Sequence, residues 1–271
     1  APVMQALLQA VVLRLCTAQL PSLIQSLIMV FARLAHMQAT AVIDMLARLD
    51  CPQGNALQFV MEVWTRNQED FHGHYQVNVT TTALAVLLAS QDPRLLQMEV
   101  SGERIVDPNA PRKTRSAKGQ PERWTRLVLP VKTFKILVHT LKRDEEEQAR
   151  RERAKAEAAD DDEDSEDEWE DEDDEGEGGA GRRGRSSVFA DAEDFEHLTM
   201  LPGLIGGIDD DEEDEDEDHK ADPMSKVDLK SYVNDFIRSF ASHDAAGFAL
   251  CYQALSQDLR DVVARAVGMR Q

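Results

Sequence analysis

Between Asp160 and Glu177 fifteen of eighteen residues are carboxylates, and Asp209 to Asp218 is an unbroken run of ten more. No hydrophobic core can hold such segments. Burying an unpaired charge is prohibitive, and like charges packed together repel. The chain must therefore fold around this acid, as two apolar parts joined by a solvated strap. The strap also explains the charge balance. The formal net charge is -21, yet the 26 acids outside the two runs nearly match the 30 basic residues. A strongly acidic appendage on a near-neutral body disfavours contact with nucleic-acid phosphates and favours basic protein clients.

The part before the strap reads as helix after helix. Met4, Leu7, Leu8, Val11, Val12 and Leu15 recur at three- and four-residue steps, an apolar stripe of helical period. Pro21 opens a second helix at its first turn, where a missing N–H costs nothing. Its stripe is Leu23, Ile24, Leu27, Ile28, Phe31 and Leu34. A third helix is expected near Thr40 to Leu49. The break Asp50, Cys51, Pro52, Gln53, Gly54 precedes a fourth, from about Ala56 to Phe71. A fifth is expected over Val77 to Ala89, after the His72, Gly73, His74 corner. Short helices joined by short turns favour antiparallel neighbours, and two of them with their turns take about forty residues, the period of HEAT and armadillo units.

From Met98 to Val106 the helical pattern lapses, and Val100, Ile105 and Val106 around Ser101 and Gly102 predict a small hairpin or an ordered loop. A basic loop over 107–126 follows, carrying Arg112, Lys113, Arg115, Lys118 and Arg123, with Trp124 as a packed anchor for the next helix. That helix has Pro130 in its first turn and Val131, Phe134, Leu137, Val138 and Leu141 on one face. A charged, alanine-rich helix over Asp144 to Ala159 continues it. After the strap, Leu229, Tyr232, Val233, Phe236, Ile237 and Phe240, then Phe248, Leu250 and Tyr252, then Leu259, Val262, Val263 and Val267, predict terminal helices that cap the stack. The expected fold is all-α: an α-solenoid of HEAT-type helix pairs with a long disordered acidic insert. Its divisions are 1–157 helical repeats, 158–224 acidic insert and 225–271 capping helices.

Three well-separated cysteines, Cys16, Cys51 and Cys251, fit free thiols in a reducing compartment. No apolar run is long enough to cross a membrane: Leu23 to Leu34 is short and broken by Gln25 and Arg33. No secretory signal is visible, and the abrupt helical opening at Ala1 suggests a piece of a longer chain. His72, His74 and Cys51 lack a fourth ligand and a metal-binding spacing. There is no phosphate-binding glycine loop, nucleophile elbow or carboxylate pair set in an apolar pocket, so neither a cofactor nor an enzymatic reaction is expected.

Several segments carry a resemblance. Ser26 to Leu34 (SLIMVFARL), Phe59 to Arg66 (FVMEVWTR) and Val79 to Leu84 (VTTTAL) are similar to the last HEAT repeats of the importin-β (karyopherin-β) family. Thr114 to Lys118 followed by Pro121 to Trp124, Trp169 to Asp171 within the acid, and Asp228 to Phe236 follow in the same order. The resemblance covers nearly the whole chain and is weakest in the final helix. It implies a superhelical transport receptor that shuttles between cytoplasm and nucleus. Such receptors enclose cargo, contact Phe-Gly nucleoporins and release cargo to Ran-GTP through N-terminal repeats that this chain lacks. The implied cargo is the core histone dimer; ribosomal proteins are expected from the acidic charge alone.

With that resemblance the strap becomes the candidate cargo site. Asp160, Asp161, Asp162, Glu163, Asp164, Glu166, Asp167, Glu168, Glu170, Asp171, Glu172, Asp173, Asp174 and Glu175 would pair with Lys and Arg of the client while Trp169 anchors on an apolar pocket. Such a polyanion competes with DNA and is screened by salt. The basic loop has three readings: contact with acidic or polar cargo, contact with the chain's own acid, or a solvated loop. The alternative to a transport receptor is an acidic helical histone chaperone or assembly scaffold without transport.

Overall fold

The computed structural model describes residues 2–105, 123–163 and 222–268, with backbone alone at 2, 104 and 156–163. The chain divides into two compact units, one of Ala1–Glu152 with Asp218–Gln271 and the other of Arg153–Glu217. The second is described only along helix, over 153–163. The first is an all-α, solenoid-like fold with two small hairpins.

Helices α1 (Pro2–Thr17) and α2 (Pro21–Ala47) open the chain. Two separate helices were expected over Pro21 to Leu49. They form one helical run with a break at Gln38, whose φ of -156° and ψ of 80° are extended. No Pro or Gly lies between Leu34 and Thr40, so no residue there stops a helix outright. By length and composition α2 could cross a bilayer, with 27 residues and a mean hydropathy of 1.5 over its most apolar stretch. That corrects the expectation that no segment is long enough. In this fold its apolar face is spent on the core: Ile28, Phe31, Ala35, Ile43 and Leu46 are buried, and α2 packs on α1, α3 and α4.

A short hairpin, β1 (Asp50–Cys51) with β2 (Gly54–Asn55), leads into α3 (Ala56–Asn67). Asn55 caps α3: its Oδ1 accepts from the N–H of Leu57 and Gln58, while its Nδ2 donates to Ala47 O at 3.0 Å. A 3-10 turn at Gln68–Asp70 ends this helix before Phe71. Helix α4 (His74–Ala89) starts three residues earlier than its stripe suggested. Gly73, at φ 83°, turns the chain directly into His74, a backbone conformation that side chains disfavour.

After α5 (Pro93–Leu96), β3 (Glu99–Arg104) pairs antiparallel with β4 (Trp124–Val128). The pairing corrects two expectations. Ser101 and Gly102 mark an irregularity in the ladder rather than a turn, and the predicted basic loop gives up Trp124, Thr125 and Arg126 to a strand. Gly102 is required by proximity: a Cβ there would lie 2.4 Å from Thr125 Oγ1 and 2.8 Å from Leu127 Cγ. The ladder hangs on α3, where Glu62 Oε2 accepts from Ser101 N at 2.9 Å and Gln58 Nε2 donates to Glu99 O at 2.6 Å.

Helix α6 (Leu129–Glu163) continues through the charged segment as one helix. A 3-10 turn at Pro223–Lys226 precedes α7 (Leu229–His243), α8 (Ala245–Gln253) and α9 (Gln257–Val267), which ends on left-handed Gly268.

Two hydrophobic clusters result. In the first, α1 to α4 bury Leu8, Val12, Phe31, Val60, Trp64 and Leu84. In the second, α6 to α9 bury Phe134, Leu137, Ile237, Phe240, Cys251 and Val263. Helices α4 and α6 belong to both, α4 through Val79 and Ala85, α6 through Ile136 and Val138. A helix serving two clusters is buried nearly all round, as α4 is from Asn78 to Ala85. Of the first predicted stripe, Leu8, Val12 and Leu15 are buried, whereas Met4 and Leu7 are exposed; Leu250 on α8 is exposed as well.

Candidate functional site

In sequence the first acidic run begins within α6 and the second ends shortly before Asp222, so the described structure on either side of them is α6 and the docking of Asp222. Lys142 Nζ lies 2.7 Å from Asp258 Oδ2 on α9, and Arg265 Nη2 lies 2.6 Å from Glu145 Oε2. Lys230 Nζ donates to Gln148 Oε1 at 3.1 Å. The Lys142 ammonium holds the Asp258 carboxyl well below the ordinary carboxylate range, with a further hydrogen bond from Ser256. Beneath these polar links Phe134 packs at 5.8 Å on both Phe240 and Phe248.

The return is fastened by a polar clip. Arg33 on α2 forms an ion pair with Asp222, whose Oδ2 also accepts from Tyr75 Oη at 3.2 Å. The Arg33 guanidinium stands 5.9 Å from the Tyr75 ring centre. Asp222 Oδ1 accepts from Met224 N at 2.8 Å, a turn that the following Pro223 pre-shapes. Held by Arg33 first and by the Met224 N–H next, the Asp222 carboxyl drops to about 2. Its side chain is only 11% exposed, so the pair is partly desolvated, while Arg33 at 45% remains wet. Asn78 Nδ2 adds a bond to Val227 O at 3.0 Å.

Beside the clip lies a buried polar cluster. Trp64 Nε1 donates to Gln68 Oε1 at 2.8 Å, and Gln68 Nε2 donates to Thr80 Oγ1 at 2.9 Å and Thr81 Oγ1 at 3.2 Å. The His36 ring nitrogen meets Val79 O at 3.0 Å and Thr82 Oγ1 at 3.1 Å. Burial lowers the His36 pKa, so the neutral ring is favoured. Among the described residues no buried side-chain polar atom lacks a partner.

Of the residues read as candidate cargo contacts, Asp160, Asp161, Asp162 and Glu163 have helical backbone on α6. Their side chains lie outside the described residues, as do Asp164 to Glu175 with Trp169. In the basic loop, Arg112, Lys113, Arg115 and Lys118 lie outside them too. Arg123 is described: it is exposed, and its carbonyl accepts from Ile105 N at 2.8 Å at the end of the β3–β4 ladder. Trp124 is half-buried. Sequence reasoning missed Arg33, Tyr75 and Asp222; the Asp222–Pro223 pair, a turn signal at the end of the strap, was the available cue.

Among the described residues no group of three or more His, Cys, Asp or Glu could hold a metal ion. Cys251 is buried and its thiol is pushed up to about 12; burial, with the Cys51 thiol alongside, raises Cys16 to about 11. Thiols so far from ionised are poor nucleophiles at neutral pH. The site has the means to hold and display charge.

No family model matches the chain. Importin-9 of Drosophila melanogaster is 34% identical over 146 residues, covering 52% of this chain and 14% of that protein. Importin subunit beta-5 of Saccharomyces cerevisiae is 29% identical over 275 aligned positions, covering 98% of this chain and 25% of that protein. The chain thus spans a quarter or less of the length of these two relatives. With its helices packed in succession and similarity reaching along nearly all of its length, this chain is related to the importin-β family.

Proposed function

We propose that this chain is part of a nuclear import receptor that binds and shields basic cargo, and that it acts by binding rather than by catalysis. The observation that carries the reading is the alignment with an importin subunit over 98% of the chain. The 25 carboxylates of the two acidic runs support the choice of cargo, because a polyanion draws Lys- and Arg-rich proteins off other anions. Core histone dimers and ribosomal proteins are the clients of that chemistry. In the longer protein, Phe-Gly nucleoporins would meet the helical wall, and Ran-GTP would act on preceding repeats. The receptor would shuttle between cytoplasm and nucleus.

The test is to titrate a core histone dimer into the full chain and into a chain lacking 160–218, at two salt concentrations. The reading expects at least a tenfold weaker affinity for the shortened chain at physiological ionic strength, and a steep loss with added salt for the intact one. Equal affinity for both would overturn the strap as the cargo site. A pull-down of the longer protein with Phe-Gly repeats tests transport: histone binding without any capture of those repeats would leave a chaperone.

A further inference from the structure

Two thiols from separate elements meet in the first cluster. Cys16 lies in the last turn of α1, and Cys51 ends β1 at the root of the short hairpin. Helix α1 packs on β1, and Gln9 Nε2, two turns before Cys16 on the same helix face, donates to Asp50 O at 3.1 Å. This docking brings the Cys51 thiol within hydrogen-bonding reach of the Cys16 thiol. Both side chains are half-buried and pack against the first hydrophobic cluster, whereas Cys251 is wholly buried in the second. A small solute therefore has access to the pair and not to Cys251.

Among the described residues no third His, Cys, Asp or Glu joins the two thiols to hold a metal ion. The hairpin leaves room for them to close on each other. Pro52, Gln53, Gly54 and Asn55 are exposed, and a Cβ at Gly54 would meet open space. Cys51 can thus shift until the sulfurs reach bonding distance, without repacking the core.

We propose that Cys16 and Cys51 are a redox modification site, oxidised by hydrogen peroxide to an intramolecular disulfide and returned to thiols by a small-molecule thiol. The Cys51 sulfur attacks the peroxide: an S–O bond forms, the O–O bond breaks and water leaves. The Cys16 sulfur attacks the resulting sulfenic acid: the S–S bond forms, the S–O bond breaks and a second water leaves. The pair loses two electrons and two protons, and one hydrogen peroxide becomes two waters. The reducing thiol reverses this by two exchange steps and ends as its own disulfide. Burial, foremost, raises the Cys16 pKa and slows its attack, and its fixed place beside Cys51 offsets this by proximity. In a reducing compartment the dithiol is the resting form and the disulfide is transient. Once formed, the disulfide closes residues 17–50, with all of α2 and its break at Gln38, into a covalent ring that holds α1 to the hairpin.

The experiment exposes the full chain to hydrogen peroxide at neutral pH, removes the oxidant, alkylates the remaining thiols in denaturant and maps tryptic peptides by mass spectrometry. Cleavage after Arg33 and Arg48 puts Cys16 and Cys51 in separate peptides. The expected product is a linked pair two hydrogens lighter than its halves, released by dithiothreitol, with Cys251 alkylated. The oxidised chain should melt about 4 °C or more above the reduced one. That shift should vanish in Cys16→Ser and in Cys51→Ser and persist in Cys251→Ser. Full alkylation of both cysteines overturns the proposal, as does sulfinic acid at either one without a link. So do links that join Cys251 or a second copy as often as they join this pair. An equal yield of the link from chain unfolded in urea before oxidation overturns it too, because the pairing would then owe nothing to the fold.

Discussion

Arg33, midway along α2, and Asp222, the first described residue after the acidic runs, form an ion pair beneath the Tyr75 hydroxyl. The pair ties the returning chain to helices laid down far earlier in the sequence. Asp222 is largely shielded while Arg33 stays half in water, so the attraction is discounted by solvent but not abolished. We expect Asp222→Ala to lower the stability of the chain by about 1–2 kcal/mol, which is the roughly 1.5–3 kcal/mol of a hydrogen bond to a charged group discounted for the solvent around Arg33. Urea denaturation reads the loss, and Arg33→Ala together with Asp222→Ala should cost less than the sum of the two. The pH dependence has a definite sign. The folded carboxyl sits near 2, below its ordinary value of 3.8, so its contribution is full above about pH 4 and is lost as pH falls through 2. Replacing Asp222 with Asn should flatten the stability curve in that window.

His36 gives a second window of opposite origin. Its pKa is lowered chiefly by burial, with Arg33 adding repulsion while Val79 O and Asp222 act the other way. The unfolded chain therefore binds the proton more readily than the folded one. Stability from the neutral ring is fully present above about pH 6.5 and declines as pH drops below that value. Melting temperatures measured from pH 7.5 to 5 should fall more steeply for the native chain than for His36→Gln, which keeps a polar partner for Thr82 without gaining charge.

Phe134 is the third case. It is wholly buried and touches Phe240 and Phe248, so Phe134→Ala should cost about 3–5 kcal/mol. Phe236, stacked on Phe240 but only partly buried, should cost clearly less. If the two substitutions were equal in chemical denaturation, the second cluster would not be organised around Phe134. At temperatures well below the transition, neither should alter capture of a basic protein.

The order and type of the helices were legible because apolar residues at helical period leave few alternatives. Pro21, Pro130 and the Asp50 to Gly54 break marked boundaries through backbone chemistry that acts locally. The union of two helices across Gln38 was not legible, since extended backbone at a glutamine carries no sequence mark. The β3–β4 pairing joins segments on either side of a basic stretch, and such pairing is set by tertiary contacts at Glu62 and Gln58 rather than by either strand alone. The clip was hidden for the same reason: Arg33 reads as an interruption of an apolar run until Asp222 is brought beside it. The candidate site was legible as charge, because charge needs no fold to be counted.

Fastening the strap at both ends has an evolutionary corollary. Once α6 is keyed to α7 and α9, and Asp222 to Arg33, both points where the described body meets the acidic stretch are fixed by contacts that contain none of its carboxylates from 164 to 218. The number and order of acids can drift, lengthen or shorten with almost no toll on the helical body. Selection is then free to tune valence for clients as a parameter separate from fold.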